Sequence, residues 1–236
     1  MAGKLSEVQK EIVGCRLCPR LVEFRERVAR EKRRAFQHCS YWGNPVPSLG
    51  VRYAHLLILG LAPGAHGSNR TGRMFTGDRS GDFLFETLHR FGFCSQPSSQ
   101  HRKDGLRLLD TFITAALHCV PPGNRPASEE LETCRDYLKR ELQLLHSVRV
   151  VVVLGRIAWR AYLLAREELG WPVPRPRPQF AHGRSQRLDD ETTLISSYHP
   201  SQQNTQTGRL SKEMFDEVFA TARKLLPTSP VGIRAQ

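Results

Sequence analysis

Residues 60–82 read GLAPGAHGSNRTGRMFTGDRSGD, directly after the apolar run Leu56-Leu57-Ile58-Leu59 and directly before the helical spacing of Phe83, Leu84 and Leu88. Glycine this dense lets a backbone turn sharply and approach another molecule closely, because no Cβ stands in the way. A loop at the carboxyl end of a strand, feeding a helix, is where an α/β sheet places its ligand. The segment therefore reads as a binding site rather than as an ordinary strand-to-helix turn. Further strands are expected at 112–117, 148–154 and 193–197, with helical patterns at 81–91, 128–145 and 157–168 between them. Strands alternating with helices imply a parallel sheet covered on both faces.

Outside that core, 5–13 and 21–34 have helical spacing, the second very basic, and 34–50 reads as a loop. Ser128, followed by Glu129 and Glu130, makes a helix start in which the hydroxyl caps free amides. Residues 171–187 hold four prolines and five basic residues and read as an exposed loop, and 211–226 closes as an amphipathic helix. One domain over 1–226 is expected, with 227–236 as a flexible tail.

The ligand class follows partly by exclusion. Gly67 and Gly72 have the spacing of a phosphate-cradling P-loop, but Arg73 and Met74 stand where Lys and Ser/Thr belong, so the metal-holding hydroxyl is missing. The 236 residues carry a formal net charge of +12, with 28 arginines against 7 lysines. That balance suits a polyanion, and arginine in particular matches phosphate oxygens bidentately. The 171–187 loop is one surface that would face it. No stretch approaches eighteen apolar residues, and the first 18 residues lack an apolar signal core. A soluble, cytoplasmic protein without membrane partners is expected.

Of the six cysteines, Cys15 and Cys18 form a C-x-x-C pair, while Cys119 and Cys134 follow at a distance. In a reducing compartment such a set binds metal or stays reduced more readily than it forms disulfides. Four thiolates support tetrahedral zinc or an iron–sulfur cluster, and spacing does not separate the two. Cys39 and Cys94 read as ordinary thiols.

From Gly60 to Asp78 the chain resembles, nearly unbroken, the GLAPGAHG-x-NRTGR-x-FTGD motif of family 5 of the uracil-DNA glycosylase superfamily. The run His199-Pro200-Ser201-Gln202-Gln203-Asn204-Thr205-Gln206-Thr207-Gly208 resembles its second motif. The resemblance extends from the first cysteine pair to the last helix. It implies a three-layer α/β/α fold around a central four-stranded parallel sheet. It also implies a [4Fe–4S] cluster on Cys15, Cys18, Cys119 and Cys134. The implied activity is a monofunctional DNA glycosylase that flips out and hydrolyses uracil and other deaminated bases, such as hypoxanthine, to start base excision repair. A non-catalytic iron–sulfur or zinc nucleic-acid-binding module is the alternative. Double- and single-stranded damaged DNA would be the partner of a nucleoid-associated monomer, with a sliding clamp as a further candidate.

Cleaving a deoxyribose N-glycosidic bond builds positive charge on the sugar and negative charge on the departing base, after the nucleotide leaves the stack. Other branches of the superfamily offer a carboxylate or amide just after the first glycine, where this chain has Leu61 and Ala62, which activate no water. The resemblance gives that work to Asp78, to orient water or stabilise the sugar cation; the competing reading is that Asp78 caps the following helix. It gives His199 a hydrogen bond to the base oxygen, which a neutral imidazole supplies, and Phe75 a stack on the flipped base. Gly60, Ala62, Gly64 and Ala115 would shape the base pocket. Ala115 and Ala116 stand where family 4 reads the uracil edge with an asparagine, and Asn124 compensates. Arg73 would track phosphate, and Ser201, Gln202, Gln203, Asn204 and Thr205 would enter the minor groove. Neither motif holds a lysine, so Schiff-base lyase chemistry is not expected.

Overall fold

The computed structural model of the chain describes residues 2–188 and 192–226. The four apolar runs become β2 (Leu56–Gly60), β3 (Thr111–Ala115), β4 (Val150–Leu154) and β6 (Thr193–Ser197). They pair in parallel in the order β3-β2-β4-β6, with Ile58 opposite both Ile113 and Val152. Such strands are apolar at nearly every position because a parallel sheet is covered on both faces. Leu56, Ile58, Ile113, Val150, Val152 and Ile195 point to one face. There they meet α4 (Arg79–Arg90) through Leu84, Phe85 and Leu88, and α8 (Lys212–Leu225) through Phe215, Val218 and Phe219. Leu57, Leu59, Phe112, Val151, Val153 and Leu194 point to the other face. They meet α5 (Ser128–Leu144) through Leu138 and Leu142, and α6 (Arg156–Glu168) through Ala158, Tyr162 and Leu163. Each fully buried side chain of this kind contributes roughly 1.5–3 kcal/mol. The result is the three-layer α/β/α arrangement.

The sheet is larger than the four strands expected. Two short antiparallel edges complete it: β1 (Leu49–Gly50) beside β3, and β5 (Ser185–Arg187) beside β6. Neither has an apolar run to announce it. Gly50 lies so close to β3 that a Cβ there would stand 2.3 Å from the Thr111 carbonyl oxygen. At the amino end, α1 (Ala2–Gly14) packs along α5, and α2 (Pro19–Glu31) stops at Lys32, whose φ of 52° breaks the helix before Arg34. Short helices interrupt both motif segments, α3 (Ser68–Thr71) in the first and α7 (Gln202–Gln206) in the second. Ser128 does not cap α5. The cap position is Ala127, whose amide donates to the Glu130 carboxylate at 2.8 Å. The tail expected at 227–236 lies outside the described residues.

Topology locates the crevice. From β2 the chain crosses by α4 to β3 on one side, then returns through α5 to β4 on the other side of β2. The segments leaving the carboxyl ends of β2 and β4 therefore run to opposite faces of the sheet, which opens a gap at that point.

Arg73 is not on a DNA-facing surface, contrary to the expectation from its sequence neighbours. Its guanidinium is buried, donating to both carboxylate oxygens of Asp104 at 2.8 and 2.5 Å, to Ser99 Oγ at 2.8 Å and to Thr76 Oγ1 at 2.9 Å. The partner lies 31 residues downstream, beyond the reach of local pattern. This pair pins the glycine-rich segment to the 99–106 loop. Burial works against ionisation of Asp104, but Arg73 and the amides of Leu106, Gln100 and His101 prevail and hold the carboxyl well below the usual range. The pair's contribution is therefore present above the unfolded value near pH 3.9 and is lost as pH falls through the depressed folded value. Asp104→Ala should cost about 3–5 kcal/mol, because it leaves a buried, unpaired guanidinium; urea unfolding at neutral pH measures this.

Candidate active site

A cavity of about 380 Å³ opens at the carboxyl ends of the parallel strands. The segment after β2 supplies Leu61, Ala62, Gly64, Phe75 and Asp78, and β3 and its following turn supply Ala115 and Asn124. The β4–α6 junction supplies 154–158, and the segment after β6 supplies His199, Ser201 and Gln203. The structure thus brings Asp78, His199, Asn124, Ala62, Gly64, Phe75 and Ala115 to one place. Gly60 lies beneath, where a Cβ would stand 2.9 Å from Phe75 Cζ.

Of the two readings that the sequence leaves open for Asp78, the structure shows the cap and places the same carboxylate in the cavity wall. Asp78 is the N-cap of α4, Oδ1 accepting from the Gly81 amide at 3.0 Å. Its other oxygen rests on bare backbone: a Cβ on Gly67 would stand 1.7 Å from Oδ2, and one on Gly64 2.9 Å. Burial raises the carboxyl above the ordinary aspartate value, against the pull of the Gly81 and Ser80 amides. His199 moves the opposite way, pushed down to about 4 by burial. Its imidazole is neutral at physiological pH and stacks on Phe75, with centroids 5.9 Å apart and planes inclined by 27°. Phe75 holds a left-handed backbone, φ 49°, which costs a residue with a Cβ roughly 1–2 kcal/mol. Its neighbours fix it there.

The second motif divides its labour. Ser201 and Gln203 face the cavity, and Gln202 is exposed. Asn204 spends its amide on the His199 carbonyl at 2.8 Å, and the Thr205 hydroxyl donates to the Ser201 carbonyl at 3.2 Å. These two hold the histidine-bearing turn in shape. Sequence reasoning missed the wall made by Gly155, Arg156 and Ile157. The strand–Gly–helix pattern VVVVLGRIAW was the available signal, but it carries no reactive side chain. The first turn of α6 there has no side-chain cap, so its free amides and positive dipole end favour negative charge in the cavity.

A second, smaller cavity is lined by Cys15, Cys18, Cys119 and Cys134, together with Leu21, Arg25, His118 and Tyr137. All four cysteines are free thiols. Among the described residues, no three Cys, His, Asp or Glu side chains converge on one point as ligands of a single ion. The surroundings suit an anionic group. The Arg25 guanidinium, 1% exposed, donates to Cys119 Sγ and to the Cys15 carbonyl, both at 3.2 Å. Among the described residues, Arg25 Nε and His118 Nε2 are buried without a partner. Burial works the other way and disfavours the thiolates, pushing Cys119 up to about 11 and raising Cys18 and Cys134 as well. Cys94 is buried elsewhere, its thiol donating to the Gln96 carbonyl at 3.1 Å, and Cys39 lies outside both cavities.

Residues 47–223 match the model of the uracil DNA glycosylase superfamily. The chain is 49% identical over 225 residues to a type-5 uracil-DNA glycosylase of Mycobacterium bovis, covering 95% of this chain and 82% of that protein. It is 50% identical over 214 residues to a type-5 uracil-DNA glycosylase of Thermus thermophilus, covering 91% and 94%. A type-4 uracil-DNA glycosylase of Archaeoglobus fulgidus is 33% identical over 155 residues, covering 65% and 61%. The chain belongs to the uracil-DNA glycosylase superfamily, in its type-5 branch.

Gly67→Ala tests the seat of Asp78. The added methyl should displace the carboxylate and release the Gly81 amide, lowering stability by about 0.5–2 kcal/mol, as loss of a helix cap does. Faster hydrogen exchange at Gly81, with the sheet amides unchanged, is the expected readout.

Proposed function

We propose that this protein is a monofunctional DNA glycosylase that excises uracil from DNA. The observation that carries the reading is the convergence of Asp78, His199 and Phe75 in one cavity at the sheet's switch point. The type-5 relatives bear the same activity in their names. The base, extruded from the stack, lies against Phe75. Neutral His199 donates to the base oxygen as the C1′–N bond breaks and its electron pair leaves with the base. The open turn of α6 favours the same negative charge. Asp78, ionised, stabilises the sugar cation and orients the water that adds to C1′; the water's proton passes to solvent, and the released base anion takes its proton from solvent. Ala62 and Ala115 present no polar group to a bound ring, which weakens discrimination along those two parts of the wall. Hypoxanthine and other deaminated bases fall within the range we propose, from double- and single-stranded DNA. Asn124, in the cavity wall, is the group we assign to the base edge in place of Ala115 and Ala116, and the exposed Gln202 and Gln203 are those we assign to the DNA around the lesion. The described residues contain no helix long and apolar enough to cross a membrane, and we read the protein as a cytoplasmic monomer on the nucleoid, with a sliding clamp as a candidate partner.

The reading includes a [4Fe–4S] cluster held by Cys15, Cys18, Cys119 and Cys134. Cys15, Cys18, Cys119 and Cys134 line one cavity and would supply the four thiolates that such a cluster needs. The buried Arg25 guanidinium offsets the negative charge that such a site would carry. When bound, the cluster supplies structure, joining the segment between α1 and α2 to β3 and α5. Purified protein should be brown and contain iron and sulfide; a colourless protein with one stoichiometric zinc would overturn this assignment.

Asp78→Asn should slow single-turnover excision of uracil by about 10²–10⁴, the range of general acid–base effects, while leaving DNA affinity near its original value. Because burial raises the Asp78 carboxyl, the acid limb of the rate should lie above the pH of an ordinary aspartate. His199, neutral down to about 4, should add no step between pH 6 and 7. An enzyme indifferent to Asp78→Asn would sink the reading.

A further inference from the structure

The basic run at the end of α2, Arg30-Glu31-Lys32-Arg33-Arg34, lies outside the cavity and has no part in the mechanism above. Arg30, Arg33 and Arg34 are exposed, and among the described residues none of them has a carboxylate within ion-pair distance. Contrast Arg16, Arg20 and Arg27 on the same helix and its approach, which are paired with Glu26, Glu130 and Glu23. The fold has neutralised the early cations and left the late ones open.

This run is also fastened to the catalytic loop. The Arg33 amide donates to the Tyr41 hydroxyl at 3.5 Å, and that hydroxyl bonds His66 Nδ1 at 3.0 Å. His66 lies between Gly64 and Gly67, the two positions against which Asp78 rests. Beside it, Arg70 is held by the His66 and Gly77 carbonyls at 2.7 and 2.8 Å, with its guanidinium 4.1 Å over the Phe36 ring. Next along, Arg102 lies 4.5 Å over Trp42, itself packed on Gly72. Neither Arg70 nor Arg102 pairs with a carboxylate among the described residues. The two aromatic faces hold guanidiniums in place without cancelling their charge, leaving donors free for an anion.

The geometry points to a phosphate track for the DNA strand flanking the extruded nucleotide, formed by Arg33, Arg34, Arg70 and Arg102 along the outer side of the first motif. The occupant is a polynucleotide backbone rather than a single phosphate, because the cations follow one another along the chain path from α2 across the first motif to the 99–106 loop and enclose no pocket. This deepens the glycosylase reading and rests on it for the identity of the substrate. The track sets affinity and register, whereas the chemical step belongs to Asp78 and His199.

The test uses full-length protein and fluorescent duplexes, one undamaged and one with a tetrahydrofuran abasic analogue, bound across a potassium chloride series. Arg33→Glu/Arg34→Glu and the milder Arg33→Gln/Arg34→Gln should weaken both duplexes. They should also make the slope of log K against log[salt] shallower by about 0.9 for each phosphate that is no longer neutralised. Single-turnover uracil excision at saturating enzyme should stay within about twofold of the unaltered protein. Arg149→Glu/Lys224→Glu is the charge-matched control at the opposite end of the strands and should leave the slope unchanged. Equal slopes for the unaltered protein and both arginine pairs would overturn the track, as would a fall as large in the control. If uracil is not excised by the unaltered protein but the arginine pairs still lose affinity, the track stands as a DNA surface and the glycosylase reading falls.

Discussion

The carboxylate of Asp78 is held from two directions, by the first turn of α4 through the Gly81 amide and by the bare backbone of Gly67 behind Oδ2. Helix start, loop closure and the position of the acid are thereby one constraint. Moving any of them moves the others. The buried Arg73–Asp104 pair closes the same segment from its far side, so that the loop has little freedom to relax. Phe75 keeps its left-handed backbone only because this frame does not yield. Preorganisation of this kind matters because a cavity stabilises developing charge only if its groups need not reorganise during the reaction.

The same burial acts in opposite directions on the two ionisable groups of the cavity. It raises the Asp78 carboxyl and depresses the His199 imidazolium, since each charged form is the one disfavoured in a dry site. For His199 the consequence is a neutral donor, suited to an oxygen that gains negative charge without first attracting a cation. For Asp78 the penalty is limited by the amides of Gly81 and Ser80, which favour the ionised form. The cap thus also favours the charged form of the carboxyl that lines the cavity. A carboxylate placed equally deep without those amides would be protonated more readily.

Much of this is legible in the chain. The four parallel strands announce themselves because burial on both faces demands continuous apolar runs, and Cys15, Cys18, Cys119 and Cys134 do line one cavity. What escapes is whatever depends on distant partners or on backbone alone. β1 and β5 are two and three residues long and carry no hydrophobic signature. Arg73 has the look of a phosphate ligand because its neighbours are glycine and polar residues, while Asp104, which consumes its charge, belongs to another loop. The β4–α6 wall contributes Gly155, Ile157 and Arg156, and nothing in the local pattern marks that arginine out among the chain's many others. Asp78 reads in the sequence as either a cap or an acid, and the structure makes it the cap while also placing it in the cavity wall.

The glycines of the first motif take on a different meaning in this light. Their density suggests a backbone opened for close approach by a ligand. In the folded chain the space above Gly60 is filled by the Phe75 ring, that above Gly67 by the Asp78 carboxylate, and that above Gly72 by the Trp42 indole. The glycines form a mould for the protein's own side chains, and those side chains then face what binds. This explains why the segment fails as a P-loop while keeping part of its spacing: a P-loop needs its amides free for phosphate, whereas here the space above the backbone is already occupied. A substitution that fills the mould at Gly60 or Gly67 therefore displaces Phe75 or Asp78, both of which line the cavity, before it touches anything that binds there.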